Sequence, residues 1–490
     1  MSSGSFDGVN LPIIGIAAEY PTFNHDSSVL DRVIKLHYPK SASDTDHRRL
    51  DKVRMINKYT GIENRSSVLA EDHPLMTRKI PPNISEISAE FSSKGIPLAV
   101  AAARKALQEA QTSVSEITHI VSTTCTNSAN PGFDHLVIKE LGLTQPVEKV
   151  LLHGVGCSGG LASLRTAANL ALGHTARGLP ARVLVIALEI CSLLIRSELD
   201  SIFEKDEVRI GVTLFSDCGS SLVLSNGLGH HTTEPVYELL GWDHRLIPET
   251  EQDLRFDVVL SPQVPKLTCG SLRPSFDALI GSLPNLPPSY KKPADFDWAL
   301  HPGGALILSG VEKEMKLTPE HMRASYDIYI NHGNSSSTSV LAVLSRLRDK
   351  DMDGYSPGKK AKDYVVSAAF GPGITVETCM LKRNLNRAAR TSQTSGDMTP
   401  PETESEGSRS EIDDSDSEYN ISTEVADCKL YSESSIMKED NNESRQLTRP
   451  DKLATEQDTY SQMPIASSAH NSVSDNLNVL IDSLDIVDLD

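Results

Sequence analysis

The chain has 490 residues, 39% of them hydrophobic, with 66 Asp and Glu against 47 Lys and Arg and a net charge of −19. That length holds two to three folding units, but the charge is concentrated: residues 391–490 carry 23 acidic against 6 basic side chains, a net of −17, so the rest is nearly neutral. A neutral body offers no basic face for nucleic acid or an anionic membrane, no run of about 18 apolar residues is present to span a bilayer, and residues 1–10 lack a basic-then-apolar leader. A cytoplasmic protein is expected. Its seven cysteines are odd in number, widely spaced and without a C-x-x-C pair, which argues for reduced thiols rather than a disulfide scaffold or zinc ribbon. No resident metal or cofactor is expected.

In chain order, short apolar, β-branched runs predict strands at 117–122, 150–152, 183–188 and 221–224, with a helix-period segment at 161–172 between the second and third. The second part predicts strands at 298–300, 328–330, 364–367 and 374–381, and helices at 305–315 and 339–347. This alternation is an α/β pattern. The two parts resemble each other. Residues 150–164 read strand, Gly-rich turn with Cys157, helix; residues 328–344 read strand, turn with Asn334, helix. Cys157 and Asn334 are therefore expected at the same place in two copies of one unit, with both turns near a common centre. The expected division is a first half over 1–226 with the cysteine, a second over 227–390 with His301 and Asn334, and a tail over 391–490. The tail's Ser, Thr, Asp and Glu cannot bury enough apolar surface to offset ordering entropy, so it is expected to be disordered.

Cys157 follows a predicted strand and opens a predicted helix, with glycines on both sides. A helix N-terminus stabilises a thiolate and is expected to lower its pKa from about 8.5. His301 ends a strand and is followed by Pro302-Gly303-Gly304; an imidazole there can pair with a thiolate and later donate a hydrogen bond. Asn334 supplies an amide donor at another helix start. Together the three can hold an acyl thioester and stabilise the enolate left when a malonyl thioester loses carbon dioxide, each donor being worth on the order of 3 kcal/mol. A competing pattern lies on the same residues. Gly154-x-Gly156-x-x-Gly159 matches a dinucleotide fingerprint, with Glu189 as the ribose-binding acid, but the 30 residues from Gly159 to Glu189 exceed the about 20 expected. That reading, an oxidoreductase, also leaves His301 and Asn334 without a role.

These residues resemble the chalcone and stilbene synthase superfamily of type III polyketide synthases. The matching segments are GVGCSGGLASLRTAANLA around Cys157, LFSDCGSSLVLS around Phe215, WALHPGGALIL around His301, HGNSSSTSVL around Asn334 and FGPGITVET after Phe370. The stretch TTCTNSANPG from Thr123, which holds Cys125, is similar to the fungal branch. The resemblance implies a five-layered αβαβα thiolase-like fold of two related halves, a homodimer, and acyl-CoA and malonyl-CoA as substrates with no cofactor. It implies Cys157 as the acyl-bearing nucleophile, His301 and Asn334 as the oxyanion site, and Phe215 as gatekeeper between a CoA tunnel and a cavity.

Arg54 and Lys58 fall where the family binds CoA phosphates, although a third such position falls near Asp51. A second gatekeeper aromatic of the plant enzymes is replaced by Val258, and cavity threonines by Cys191 and Leu194; Cys125 and the loop Gly371-Pro372-Gly373 are further expected lining positions. This aliphatic lining points to a fatty acyl starter and to alkylpyrones or alkylresorcinols. A ketoacyl-ACP synthase III-like enzyme would share the three central residues but not the Gly-Pro-Gly loop, and a catalytically dead scaffold would not need them.

Overall fold

The computed structural model describes residues 5–39, 47–143, 146–205, 208–229, 233–251, 253 and 264–387. The predicted disordered tail and Val258 lie outside the described residues.

The strands are β1 (Leu11–Glu19), β2 (Phe23–Asp26), β3 (Asn64–Ser67), β4 (His119–Thr123), β5 (Glu148–Leu152), β6 (Arg182–Ile190), β7 (Asp217–Ser225), β8 (Tyr237–Leu246), β9 (Asp297–Leu300), β10 (Tyr364–Gly371) and β11 (Thr375–Arg383). Strands β2 and β3 form a small antiparallel pair, and the other nine form one sheet in the order β5-β4-β6-β7-β1-β8-β11-β10-β9. At its centre β1 and β8 pair antiparallel. Outward on one side come β7, β6 and β4, paired antiparallel, antiparallel and parallel. On the other side β11, β10 and β9 follow with the same sequence of senses. The fold is therefore a thiolase-like α/β fold of two related halves joined at β1 and β8.

Helices fill three layers around the half-sheets. Helix Ile96–Ala110 lies on β1, β6 and β7, while Val264–Gly281 lies on β8 and β11 of the other half and carries Ala305–Met315 against it. Helices Gly159–Ala176 and Ser339–Leu347 touch each other and strands of both halves, forming the middle layer. A helix between two sheets must be apolar nearly all round, and Leu161, Leu164, Ala167, Ala168 and Ala171, with Val340 to Leu344, are buried accordingly. Strands β6 and β7 are buried along their whole length, as sheets covered on both faces require. The closeness of the outer layer shows at Gly15, where any side chain would collide with the Ala106 carbonyl.

One predicted element is different. Residues 328–330 are not a strand but belong to helix Arg323–His332, so among the described residues the second half has no counterpart of β5. The reason lies in a longer window: Ala324, Ser325, Ile328 and Tyr329 are buried, the spacing of one helix face rather than alternation. Three branched or aromatic residues in a row misread that period.

Candidate active site

The cysteine turn is shaped by close packing. After β5 the chain forms a single 3-10 turn, Gly156–Ser158, before the helix Gly159–Ala176 starts. Gly156 has φ +48°, and a Cβ there would lie 2.5 Å from Pro372 Cδ. Gly159 faces Thr123 and Ser337, and Gly160 faces the Ser337 carbonyl. A Cβ on Gly371 would come within 2.5 Å of the Val155 carbonyl, so the Gly-Pro-Gly loop seats directly on the cysteine turn. Two of the three glycines of the apparent dinucleotide fingerprint, Gly156 and Gly159, thus receive protein rather than a diphosphate. Glu189, its supposed ribose ligand, is fully buried and accepts hydrogen bonds from Thr126 Oγ1 (2.9 Å), the Cys125 amide (3.1 Å) and the Ser337 hydroxyl. The oxidoreductase reading has no room left in it.

The second turn is the 3-10 segment Ser336–Thr338 leading into helix Ser339–Leu347. Ser336 has φ +48°, the same left-handed value as Gly156. Aligning these turns makes Ser337, not Asn334, the positional counterpart of Cys157. Asn334 lies three residues earlier, in a loop stitched to the Phe215 segment: its N–H donates to Leu214 O (2.9 Å) and its carbonyl accepts from Ser216 N (2.9 Å). Gly333, φ +75°, allows this approach, since a Cβ there would meet Leu214 O at 2.9 Å.

Three side chains converge through short links. Cys157 Sγ lies 3.4 Å from the Ser336 hydroxyl, which also lies 3.2 Å from Cys125 Sγ. Asn334 Oδ1 accepts from Ser336 N (2.8 Å), and its Nδ2 donates to Gly303 O (3.4 Å). Gly303 in turn lies against the His301 ring. His301 follows β9, is held by its N–H on Ala368 O (2.8 Å), and is 1% exposed with neither ring nitrogen hydrogen-bonded.

Burial governs the electrostatics here. It pushes the Cys157 thiol up to about 11, against opposing hydrogen bonds from Ser336 and Asn334, and it pushes the His301 imidazole down to about 3. The expected lowering of the thiol pKa is therefore not found: Cys157 sits in the 3-10 turn ahead of the α-helix, and desolvation outweighs the helix terminus. Both groups rest neutral. For His301 the consequence can be measured. An unfolded imidazole gains a proton below its ordinary 6.5, the native one does not, so this contribution to stability is complete above that pH and is lost as pH falls toward about 3. His301→Gln should remove about 2 kcal/mol of acid sensitivity by pH 5, seen as a flatter denaturation midpoint between pH 6.5 and 5. Parallel profiles would show that the imidazole protonates freely in the fold.

Of the other predicted residues, Phe215 is half-buried beside Asn334. Cys191 and Leu194 begin and end the 3-10 turn after β6, and burial raises the thiol of Cys191, with Glu189, Cys125 and Cys157 near enough to add to the shift. Arg54 lies on helix His47–Tyr59 but is paired with Asp31 (2.9 Å) and Asp51 (3.1 Å), while Lys58 is exposed on the same helix. Two residues had no sequence signal of their own. Ser336 places its hydroxyl between two thiols, and buried Asp217 anchors the Cys191–Leu194 turn by accepting from Ser192 N (2.8 Å) and Ser192 Oγ (2.5 Å).

Comparison with known proteins decides the family. The profile described as "Chalcone and stilbene synthases, N-terminal domain" matches residues 26–227, and that described as "Chalcone and stilbene synthases, C-terminal domain" matches 284–384. The chain belongs to the chalcone and stilbene synthase family. It is a type III polyketide synthase. Among curated relatives it is 38% identical over 385 residues to the acylalkylpyrone synthase csyB of Aspergillus oryzae, covering 76% of this chain and 94% of that protein. The type III polyketide synthase pspB of Penicillium soppii is 38% identical over 404 residues, covering 76% and 96%. Among solved structures, a type III pentaketide synthase from Neurospora crassa is 56% identical with a TM-score of 0.73, covering 76% of this chain and all of that one. A structure of CsyB complexed with CoA-SH is 37% identical with a TM-score of 0.71, over 76% and 100%. The fingerprint that suggested a nucleotide is thus this family's cysteine turn.

Proposed function

We propose that this type III polyketide synthase loads a fatty acyl-CoA on Cys157, extends it with malonyl-CoA, and cyclises the chain to alkylpyrone or alkylresorcinol-type products. The single observation that carries the reading is the buried His301 ring with both nitrogens unpartnered beside the Asn334 amide and the Cys157 turn. A buried polar group without a partner in a folded protein calls for a ligand atom. In the first step Cys157 sulfur attacks the acyl carbonyl, neutral His301 takes the thiol proton, and the CoA thiol leaves with a proton. In the second, the malonyl thioester loses carbon dioxide and its electron pair moves to the thioester oxygen, where His301 and Asn334 donate hydrogen bonds. The resulting carbanion attacks the acyl-cysteine carbonyl and expels Cys157 sulfur. No proton abstraction from carbon is needed, and the substrates alone supply the chemistry.

The starter assignment rests on the lining at Cys125, Cys191 and Leu194, on Val258, and on the csyB relative's name as an acylalkylpyrone synthase. Arg54 and Lys58 would meet the CoA phosphates, for which Arg54 must exchange Asp31 and Asp51 for phosphate; the CoA-bound relative supports such a site. In this proposal Phe215 and Gly371-Pro372-Gly373 border the acyl path, residues 1–226 carry the nucleophile and 227–390 the oxyanion donors. The enzyme acts as a homodimer in the cytosol, where both CoA thioesters are at hand; among the described residues no helix is long and apolar enough to cross a membrane.

The test is a panel of acyl-CoAs with malonyl-CoA, products identified by mass spectrometry, on wild type and Val258→Phe. Each extra buried methylene contributes about 0.8 kcal/mol, so the wild type should favour long saturated starters. Refilling the space should cost long chains roughly 1–3 kcal/mol and spare short ones. An unchanged long-to-short ratio of kcat/KM would remove Val258 from the acyl path, and products only from aromatic starters would overturn the fatty assignment.

A further inference from the structure

We propose that His119, Glu148 and His174 form a binding site for one divalent transition-metal ion of the zinc class, at the end of the fold opposite Cys157. One ligand atom from each residue lies within 4.8 Å of the other two. His119 is the first residue of β4, Glu148 the first of β5, and His174 lies in the last turn of helix Gly159–Ala176. These same three elements lead, at their other ends, to Cys125 and to Cys157.

The side chains are prepared for a ligand in several independent ways. The His119 side chain is 1% exposed, and its Nε2 has no hydrogen-bond partner. Its other ring nitrogen is occupied, Nδ1 lying 2.7 Å from Thr118 Oγ1. The His174 Nδ1 lies 3.1 Å from the Pro180 carbonyl; a nitrogen facing a carbonyl carries the proton, which leaves the lone pair on Nε2. Outer hydrogen bonds of this kind orient imidazoles in metal sites and set their tautomer. The rings meet edge to face, centroids 4.5 Å apart. Glu148 Oε2 stands 3.8 Å from His119 Nε2, on a side chain that is 67% exposed.

Two imidazoles and one carboxylate are a donor set for zinc and its neighbours rather than for magnesium or calcium, which prefer oxygen. Bonds of about 2.0–2.2 Å place tetrahedral ligands roughly 3.4 Å apart, so Glu148, 3.8 Å from His119 Nε2 on an exposed side chain, needs only a small swing to reach that spacing. Solvent beside Glu148 gives the ion a way in and a water for its fourth position. The C-terminal end of an 18-residue helix adds a favourable potential for a cation. Such an ion takes no part in the condensation. It would tie together β4, β5 and the central helix, the three elements that set the position of the cysteine turn.

The experiment uses the full chain stripped with chelator, titrated with Zn²⁺ by calorimetry and with Co²⁺ by visible absorption, for wild type, Glu148→Gln and His174→Ala. Both substituted side chains reach solvent, and neither touches the proposed reaction site. Wild type should bind one equivalent of zinc, melt several degrees higher with it, and give the visible bands of tetrahedral Co²⁺ without thiolate charge transfer. Each variant should bind at least tenfold more weakly and lose the melting shift, while its metal-free melting temperature and polyketide turnover stay near those of metal-free wild type. Absence of binding by wild type, thiolate charge-transfer bands, or undiminished wild-type affinity in both variants would overturn the site and leave an edge-to-face histidine pair capped by a carboxylate. Loss of turnover on chelation, restored by zinc in His174→Ala, would also overturn it by placing the ion elsewhere.

Discussion

Cys157→Ala is expected to abolish polyketide formation and to remove the covalent acyl adduct that intact-protein mass spectrometry should show after incubation with acyl-CoA. Among the described residues, Cys157 is the one thiol whose sulfur faces both the Ser336 hydroxyl and the Asn334 amide. The neighbouring Cys125 is committed otherwise: its amide and sulfur lie 3.1 and 3.3 Å from Glu189, which raises its thiol pKa further beyond the effect of burial. A nucleophile that must be a thiolate at the moment of attack cannot be replaced by one beside a carboxylate. Persistent acylation of the variant, mapped to Cys125, would reverse the assignment. Decarboxylation of malonyl-CoA is read separately in His301→Gln and Asn334→Ala, each expected to fall about 10²–10³-fold, the effect of deleting one oxyanion donor.

The largest expected loss of stability is at a residue that does no chemistry. Asp297, at the start of β9, is fully buried and holds Arg323 in a bidentate pair at 2.9 and 2.8 Å. Arg323 also donates to the carbonyls of Met352 (2.7 Å) and Glu320 (2.9 Å). The pair joins the strand that ends at His301 to the helix that leads to Asn334, a connection repeated by Leu300 N on Ser325 Oγ (3.0 Å) and Ala305 N on Tyr329 OH (3.1 Å). Asp297→Ala leaves a buried guanidinium without its counterion, which costs about 3–5 kcal/mol. Urea denaturation should show that loss, with decarboxylation falling in the material that remains folded because His301 and Asn334 lose their common tether. Adding Arg323→Met should recover part of it, since an apolar pair replaces the ion pair at little cost. A loss below about 1 kcal/mol would mean that water reaches Arg323.

Legibility in the sequence followed the range of the interaction. Strands β4, β6 and β10 are legible because each holds a run of apolar, β-branched residues whose burial its own composition requires. Strand β1, which begins Leu-Pro-Ile-Ile-Gly-Ile, is not legible in this way although it pairs with β8 at the centre of the sheet. Its Gly15 weakens it as a strand by itself and is explained only by the helix lying on it. The helix Arg323–His332 was misread because a three-residue window does not separate a period of 2 from one of 3.6.

By itself the sequence determined the family: a cysteine, a histidine and an asparagine, each next to glycines or small polar residues that let the backbone turn sharply, stand in motifs specific enough to name it. Those constraints are local, because a turn accepts only certain residues whatever surrounds it. Tertiary structure alone decided how these groups are tuned and held. That Cys157 and His301 are both driven toward neutral forms depends on the atoms packed around them. That Ser337 rather than Asn334 mirrors Cys157 depends on where two 3-10 turns begin. The meeting of His119, Glu148 and His174 depends on parallel strands and an antiparallel helix returning beside them. Each is a sum over contacts between residues far apart in the chain, and no local pattern encodes such a sum.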